Sequence, residues 1–279
     1  MAQIIWQADF YRRPLQDAGG QALWELLVCD LTRTIEFVAL CPQSQANAQW
    51  LVKQLQLVAD KLPDTIQVFR PQSLSLITAA GEKLGITVEA TRRTNALKQW
   101  LQERSPLYRN MDNYTGEAYD LLALEKPPPT PLPEKLWGEQ WRFAALSAKD
   151  VEEAFQERPI PILDMPPALM PLQLGLASNT SIPGVIIYGG RQSMRLARWL
   201  QEANPVTLNY IAGTPDGLVL EAGLVDRWIV ATFEDQEVSA SAQIYEQRKQ
   251  QQSKGLHFLL VQPDNSDVTF SGFWLLRQD

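Results

Sequence analysis

Cysteine and histidine are nearly missing from this sequence. The 279 residues hold two cysteines, Cys29 and Cys41, and one histidine, His257. One cysteine pair makes no disulfide framework, and no C-x-x-C pair exists to form a metal knuckle. Zinc sites of the common Cys/His kinds need more ligands than the chain owns. A Ser-His-Asp triad would have to run through His257 alone. Long apolar runs are also lacking: none approaches the roughly 18 residues of a membrane span. The opening MAQIIWQADF has no basic segment followed by an apolar one, and no Arg/Ser-rich leader. These gaps predict a protein of a reducing cytoplasm, without membrane insertion, cofactor or metal. Positive charge is short as well, with 25 Lys and Arg against 32 Asp and Glu, a net of −7. That excludes a uniformly basic coat for nucleic acid and leaves room for a local basic patch.

What is present is globular. Hydrophobic residues make up 45% and charged residues 20%. The length suits one large domain or two ordinary ones and buries a core without staples. The charge is unevenly split: residues 1–126 carry 13 cations and 14 anions, residues 127–279 carry 12 and 18. The division falls at Lys126-Pro127-Pro128-Pro129-Thr130-Pro131-Leu132-Pro133, a run that prefers an extended, semi-rigid form. We expect domains at 1–126 and 141–279 with a proline-rich linker at 127–140.

In the first part, Ile4–Arg13, Leu23–Asp30 and Thr34–Leu40 read as strands, the first two separated by the turn Asp17-Ala18-Gly19-Gly20. Leu51, Leu55, Val58 and Leu62 keep helical spacing behind a cap at Ser44 or Asn47. A strand at Thr65–Arg70, a helix at Ser73–Leu84, a strand at Ile86–Ala90 and a helix from Thr94 or Asn95 to Arg104 complete the order βββαβαβα. Ribonuclease-H-like domains show this order. The second part starts with a strand at Trp141–Leu146. Ser147 and Asp150 then form a capping pair for a helix to about Arg158. Residues 159–183 are rich in Pro and Leu without a pattern and read as a surface wrap. After a strand at Val185–Tyr188, the core order αβββαββ resembles a restriction-endonuclease-like mixed sheet. The fold class is therefore mixed α/β, in two α/β domains.

Both analogies raise nuclease chemistry, which needs converging carboxylates around metal ions. Asp9 on the first strand and Glu221 on a later one are the available acids, but neither has the expected companions. A strand-edge acid or hydrogen-bond anchor is the simpler reading of Asp9. Gly189-Gly190-Arg191, between strand and helix, is either a plain turn or a phosphate cradle. It starts a series in which Arg191, Arg195 and Arg198 share one helix face. That face is a phosphate patch or an ordinary solvated face paired with acids such as Glu202. Arg12-Arg13 and Arg92-Arg93 form a second basic spot, with Lys98 and Trp100 on the following helix. Single-strand binders join such cations to aromatic platforms, although tryptophans are more often core. His257 alternates with Phe258 on a strand and, without a partner acid, makes no acid–base site.

Several segments resemble one family. Trp6, Asp9, Phe10 and Tyr11 stand in Ile5-Trp6-Gln7-Ala8-Asp9-Phe10-Tyr11-Arg12-Arg13-Pro14, a W-x-x-D-F-Y-x-R-P opening. Leu23-Trp24-Glu25-Leu26-Leu27-Val28-Cys29-Asp30 resembles its second strand. Leu132-Pro133-Glu134-Lys135-Leu136-Trp137-Gly138-Glu139, Pro183-Gly184-Val185-Ile186-Ile187-Tyr188, the run from Gly255 through His257 to Gln262, and Gly272-Phe273-Trp274-Leu275-Leu276 match as well. The chain is similar over nearly its whole length to the Tab family of RNA-binding translation factors. This family is found in plants, green algae and cyanobacteria. The resemblance implies binding of single-stranded A/U-rich leader RNA, support of photosystem I biogenesis (in plants also photosystem II), and no catalysis. With no transit peptide in view, a cyanobacterial cytoplasm is expected. The candidate RNA contacts are Arg12, Arg13, Arg92, Arg93, Lys98, Trp100, Arg191, Arg195 and Arg198. Two other readings stay open: a scaffold contacting translation or photosystem-assembly proteins through 159–183 and the Trp274-Leu275-Leu276 end, and a metal-dependent nuclease at Asp9 or Glu221.

Overall fold

A computed structural model describes residues 3–117, 119–155 and 158–278. The chain divides into two compact units, residues 1–125 and 126–279.

The first unit contains β1 (Ile5–Gln16), β2 (Ala22–Asp30), β3 (Glu36–Pro42), α1 (Ala48–Val58), β4 (Thr65–Val68), α2 (Pro71–Leu84), β5 (Thr87–Ala90) and α3 (Asn95–Arg109). The strands form one sheet in the order β3-β2-β1-β4-β5. β1, β2 and β3 pair antiparallel, while β4 and β5 join in parallel. The expected succession βββαβαβα is the one found. Local chemistry sets the breaks. Asp17 Oδ1 accepts from the N–H groups of Gly19 and Gln21, both at 2.9 Å, and closes the β1–β2 turn. Asn47 accepts from Trp50 N–H at 3.0 Å and caps α1. Gly85 ends α2 at φ 70°, a left-handed conformation that suits glycine.

The sheet is buried on both faces because its central strand alternates between two kinds of side chain. Trp6, Ala8 and Phe10 join Leu26, Val28, Leu51, Leu55 and Ile77 under α1 and α2. On the other face Leu27 and Cys29 pack with Leu97, Trp100, Leu101 and Tyr108 of α3. The alternate residues of β1 on that side, Gln7 and Asp9, are polar and nonetheless buried.

The second unit contains β6 (Thr130–Pro131), β7 (Gln140–Ser147), α4 (Ala148–Asp150), β8 (Ile162–Asp164), β9 (Ser181–Tyr188), α5 (Ser193–Ala203), β10 (Pro205–Ile211), β11 (Asp216–Ala222), β12 (Asp226–Phe233), α6 (Gln236–Gln251), β13 (Leu256–Gln262) and β14 (Gly272–Arg277). The expected single mixed sheet is in fact two. One has the order β7-β9-β13-β14-β8, the other β10-β11-β12-β6. Alternation explains the split. Leu218 and Leu220 share one face of the meander, and that face needs an apolar partner. It finds one in Val185, Ile187, Leu259, Val261, Trp274 and Leu276 of the larger sheet, within a single core cluster. The opposite face of the larger sheet carries Ile186, Phe258, Leu260, Phe273 and Leu275 in a second cluster. Trp274-Leu275-Leu276 is therefore buried on both faces of its strand.

Two further expectations change. Residues 127–140 are not a free linker. β6 pairs in parallel with β12, Leu132 N–H donates to Ile229 O at 3.1 Å, and Leu132 and Leu136 are buried in the core. Residues 159–183 are more than a wrap: β8 lies in them, and Ile160, Ile162 and Leu176 are buried. The predicted capping pair is present, as Ser147 Oγ accepts from Asp150 N–H at 3.0 Å and donates to the Asp150 carboxylate at 2.7 Å. The helix it starts is short and passes into a π-helical turn at Val151–Phe155.

Trp274→Ala should lower unfolding free energy by about 3–5 kcal/mol, since it empties a fully enclosed indole site. Urea denaturation with an unchanged slope is the check.

Candidate functional site

The basic spot expected of Arg12, Arg13, Arg92 and Arg93 is not assembled. Arg13 is buried, with its Nη2 donating to Asp9 Oδ2 at 2.9 Å and its Nε to Glu25 Oε2 at 2.9 Å. Arg70 Nε donates to Asp9 Oδ1 at 2.9 Å, and Ser73 Oγ donates to the same oxygen at 3.0 Å. Arg104 and Tyr108 of α3 donate to Glu25. The Arg70 guanidinium lies 4.5 Å from the Tyr11 ring centre, and its Nη1 donates to the carbonyl of Ala123 at 3.3 Å. Burial alone would push the Asp9 carboxyl up; the charges and hydrogen bonds of Arg70 and Arg13 overcome this and hold it below the ordinary aspartate range. Asp9 is thus an anchor for three elements, with both oxygens occupied by donors. Trp6 and Phe10, its neighbours in the motif, are core residues.

Arg92 and Trp100 are buried too, at 7% and 5% exposure. Arg12 and Arg93 are exposed. Gln7, which faces α3, donates to Arg93 O at 3.3 Å. Arg12 is an odd number of residues along β1 from Gln7 and projects from the other face. Lys98 is half-buried, its ammonium 5.8 Å from the Phe69 ring centre. The structure therefore does not bring Arg12, Arg13, Arg92 and Arg93 into one patch.

The Arg191, Arg195 and Arg198 series is arranged differently. Arg191 lies on a 3-10 turn at Gly190–Gln192, and Arg195 and Arg198 lie on α5. The helix buries Ser193, Leu196, Ala197 and Leu200, so all three arginines are left exposed. Among the described residues no carboxylate pairs with any of them, Glu202 included. Near Gly190 is an apolar slot of about 450 Å³, lined by Leu132, Leu136, Trp137, Trp141, Ile187 and Leu196 among others. Leu196 comes from α5 itself. Glu139, also in the lining, sits against Gly190, where an added Cβ would lie 1.9 Å from its Oε1. Trp137 is the residue that sequence reasoning missed: it is 56% exposed and its indole N–H donates to Leu132 O at 2.7 Å. Its only signal was the odd placement of a tryptophan in a Pro-, Glu- and Lys-rich segment.

His257 is fully buried and has a structural environment. Its Nε2 accepts from Leu208 N–H at 2.9 Å, and its Nδ1 lies 2.9 Å from Gly255 O, which makes Nδ1 the protonated nitrogen. Burial, and then the nearby Lys249 ammonium, push its pKa down to about 3. Lys249 donates to Leu208 O at 3.0 Å and Asn209 Oδ1 at 2.8 Å and pairs with Glu246 at 2.8 Å. Glu221, the other acid considered for catalysis, pairs with Lys126 at 2.9 Å. Among the described residues no cluster of His, Cys, Asp and Glu could hold a metal ion, and no helix is long and apolar enough to cross a membrane.

Family models match both units. That of the RNA-binding protein Tab2/Atab2 N-terminal region matches residues 5–104, and that of its C-terminal domain matches residues 119–277. The protein TAB2 homolog, chloroplastic, of Zea mays is 33% identical over 283 residues, covering 97% of this chain and 70% of its own length. The Arabidopsis thaliana protein of the same description is 31% identical over 281 residues, covering 97% and 74%. Among solved structures, a chain of a simian T-cell lymphotropic virus intasome in complex with PP2A regulatory subunit B56 gamma aligns over 50% of this chain and 64% of its own. Its identity is 13% and its TM-score 0.23, too slight a likeness to carry an argument.

Asp9→Asn should cost about 3–5 kcal/mol of stability, because Arg70 then lacks its buried counter-charge and Arg13 keeps only Glu25. Chemical denaturation at neutral pH measures it. For His257 the sign follows from linkage: the unfolded imidazole takes a proton below about pH 6.5, and the buried one stays neutral to about pH 3. Stability is lost as pH falls through that window. Between pH 7 and 5.5 the wild type should lose about 1 kcal/mol more than a His257→Gln variant, each compared with its own value at pH 7.

Proposed function

The chain belongs to the Tab2/Atab2 family of RNA-binding proteins, and from that premise we propose that it binds single-stranded, A/U-rich leader RNA without cleaving it. In this reading it serves translation and biogenesis of photosystem I subunits. The observation that carries the reading is the Arg191, Arg195 and Arg198 face: three exposed arginines within eight residues of a unit that is otherwise net acidic. Affinity for a polyanion is chiefly phosphate neutralisation, and among the described residues these arginines have no acid to satisfy first. Guanidinium groups also suit phosphate geometry better than ammonium groups do. The overall charge of −7 repels RNA elsewhere on the surface, which confines contact to this face and keeps it dependent on salt.

The paired and buried states of Asp9 and Glu221 support a binding role over metal-dependent cleavage. Proteins of translation or photosystem assembly are partners in the same proposal. The two cysteines, buried and unpaired, fit the reducing cytoplasm in which we place it.

Reversing Arg191, Arg195 and Arg198 to Glu should weaken binding of an A/U-rich RNA at least tenfold at low salt. It should also reduce the slope of log affinity against log salt by about 2, at roughly 0.7 per single-strand phosphate contact. Fluorescence-anisotropy titrations across a salt series, with magnesium present and RNA length checked on a gel, decide it. Unchanged affinity and slope would remove α5 from the interface; magnesium-dependent RNA loss abolished by Asp9→Ala would bring back the nuclease.

A further inference from the structure

The slot beside α5 is built differently from an ordinary gap in a core. Trp137 stands at its rim, more than half exposed, although it is a large apolar side chain. Its one polar atom is already used, since the indole N–H donates to Leu132 O at 2.7 Å. The backbone behind it is fixed as well. A Cβ on Gly138 would come within 2.5 Å of Ile187 Cγ2, so the chain here lies tight on β9, and Glu139 N–H donates to Tyr188 O at 2.7 Å. The indole is thus tethered at its nitrogen and more than half exposed.

The slot behind it has the dimensions of a small-ligand pocket, about 450 Å³, and an apolar floor of Leu136, Trp141, Ile187 and Leu196. Hydrogen-bonding groups line two of its sides. β6 pairs with β12 only at Trp228 and Ile229, yet β12 continues to Phe233, and Val230, Ala231 and Thr232 line the slot. Gln140 and Trp141, on the other side, belong to β7, an edge strand of its sheet. Strand edges offer backbone donors and acceptors to whatever enters. Cation placement decides between occupants. Glu139 of the lining touches Gly190, next to Arg191, whereas Leu196 on the floor belongs to the buried stripe of α5. A single strand with a phosphate on Arg191 can present its next chemical group, a base, to this slot.

We propose that the slot takes one unstacked base of the bound strand, with its ring stacked on Trp137. This rests on the RNA-binding reading and adds a second, uncharged contact to it. Stacking on an aromatic side chain is tolerant of base identity because every base has a π-face. The site therefore adds affinity for single strands over duplexes, whose bases are not available.

The test compares the full-length protein with Trp137→Ala and Trp137→Phe. Each binds two fluorescent ten-mers of equal charge, oligouridylate and the same ribose-phosphate chain without bases. The wild type should prefer the base-bearing strand by about 5- to 100-fold. Trp137→Ala should erase most of that preference, leaving affinity for the abasic strand and the salt slope unchanged; Trp137→Phe should restore part of it. Equal preference in wild type and Trp137→Ala, with α5 reversal still weakening both strands, would overturn the base site and leave the arginine face standing. It would free the slot for a different occupant, such as an extended peptide added to the edge of β7. Loss of the salt slope in Trp137→Ala would also overturn it, since the tryptophan would then be supporting the arginines. Absence of binding by the wild type at low salt would overturn both proposals.

Discussion

A charge cannot be buried alone, and this constraint organises the first unit. Its central strand is covered on both faces, so every charged side chain that faces α3 must find a counter-charge inside. Asp9 and Glu25 receive Arg13 between them, Arg70 reaches Asp9 from the end of β4, and Arg104 reaches Glu25 from α3. Removing these ions from water is costly, and such networks are weak evidence for stability in themselves. Their effect is register. β1, β2, the start of α2 and α3 can each occupy one position only if all donors are to be met, because half-satisfied networks are worse than apolar cores.

The same rule reads differently in the second unit. Lys249 is buried and meets it through Leu208 O, Asn209 and Glu246, beside a histidine kept neutral by its surroundings. The arginines of α5 meet it by staying outside. Their helix has a buried stripe of Leu196, Ala197 and Leu200 and leaves the guanidinium groups exposed, with no carboxylate attached among the described residues. Cations of the first kind stabilise a conformation, and cations of the second kind are available to a phosphate. The pairing, more than the residue type, separates scaffold from interface.

This division explains why the most recognisable positions are poor guides to the binding surface. Trp6, Asp9, Phe10, His257, Trp274, Leu275 and Leu276 are all buried. They serve this chain's own core, and Tyr11 is half-covered beneath Arg70. The residues argued to meet RNA lie on a turn, a helix face and a pocket rim, where sequence alone offers only a count of charges.

Local chemistry made much of the architecture legible in advance. The βββαβαβα succession, the cap at Asn47, the Ser147–Asp150 pair and the glycine end of α2 all depend on residues a few positions apart, and backbone geometry relates such residues directly. Long-range packing settled the rest. Alternation along a strand says that two faces differ, but not what will cover either one. Arg12 and Arg13 look equivalent in sequence, yet one is in solvent and the other is enclosed by Asp9 and Glu25. Residues 127–140 read as a linker until Leu132 and Leu136 find an apolar cluster assembled from strands far along the chain. Which elements form and where they break was written in the order of residues, because those are short-range steric and hydrogen-bonding choices. Which charges are consumed internally and which remain for a ligand was decided by the folded chain, because burial is a property of what packs on top.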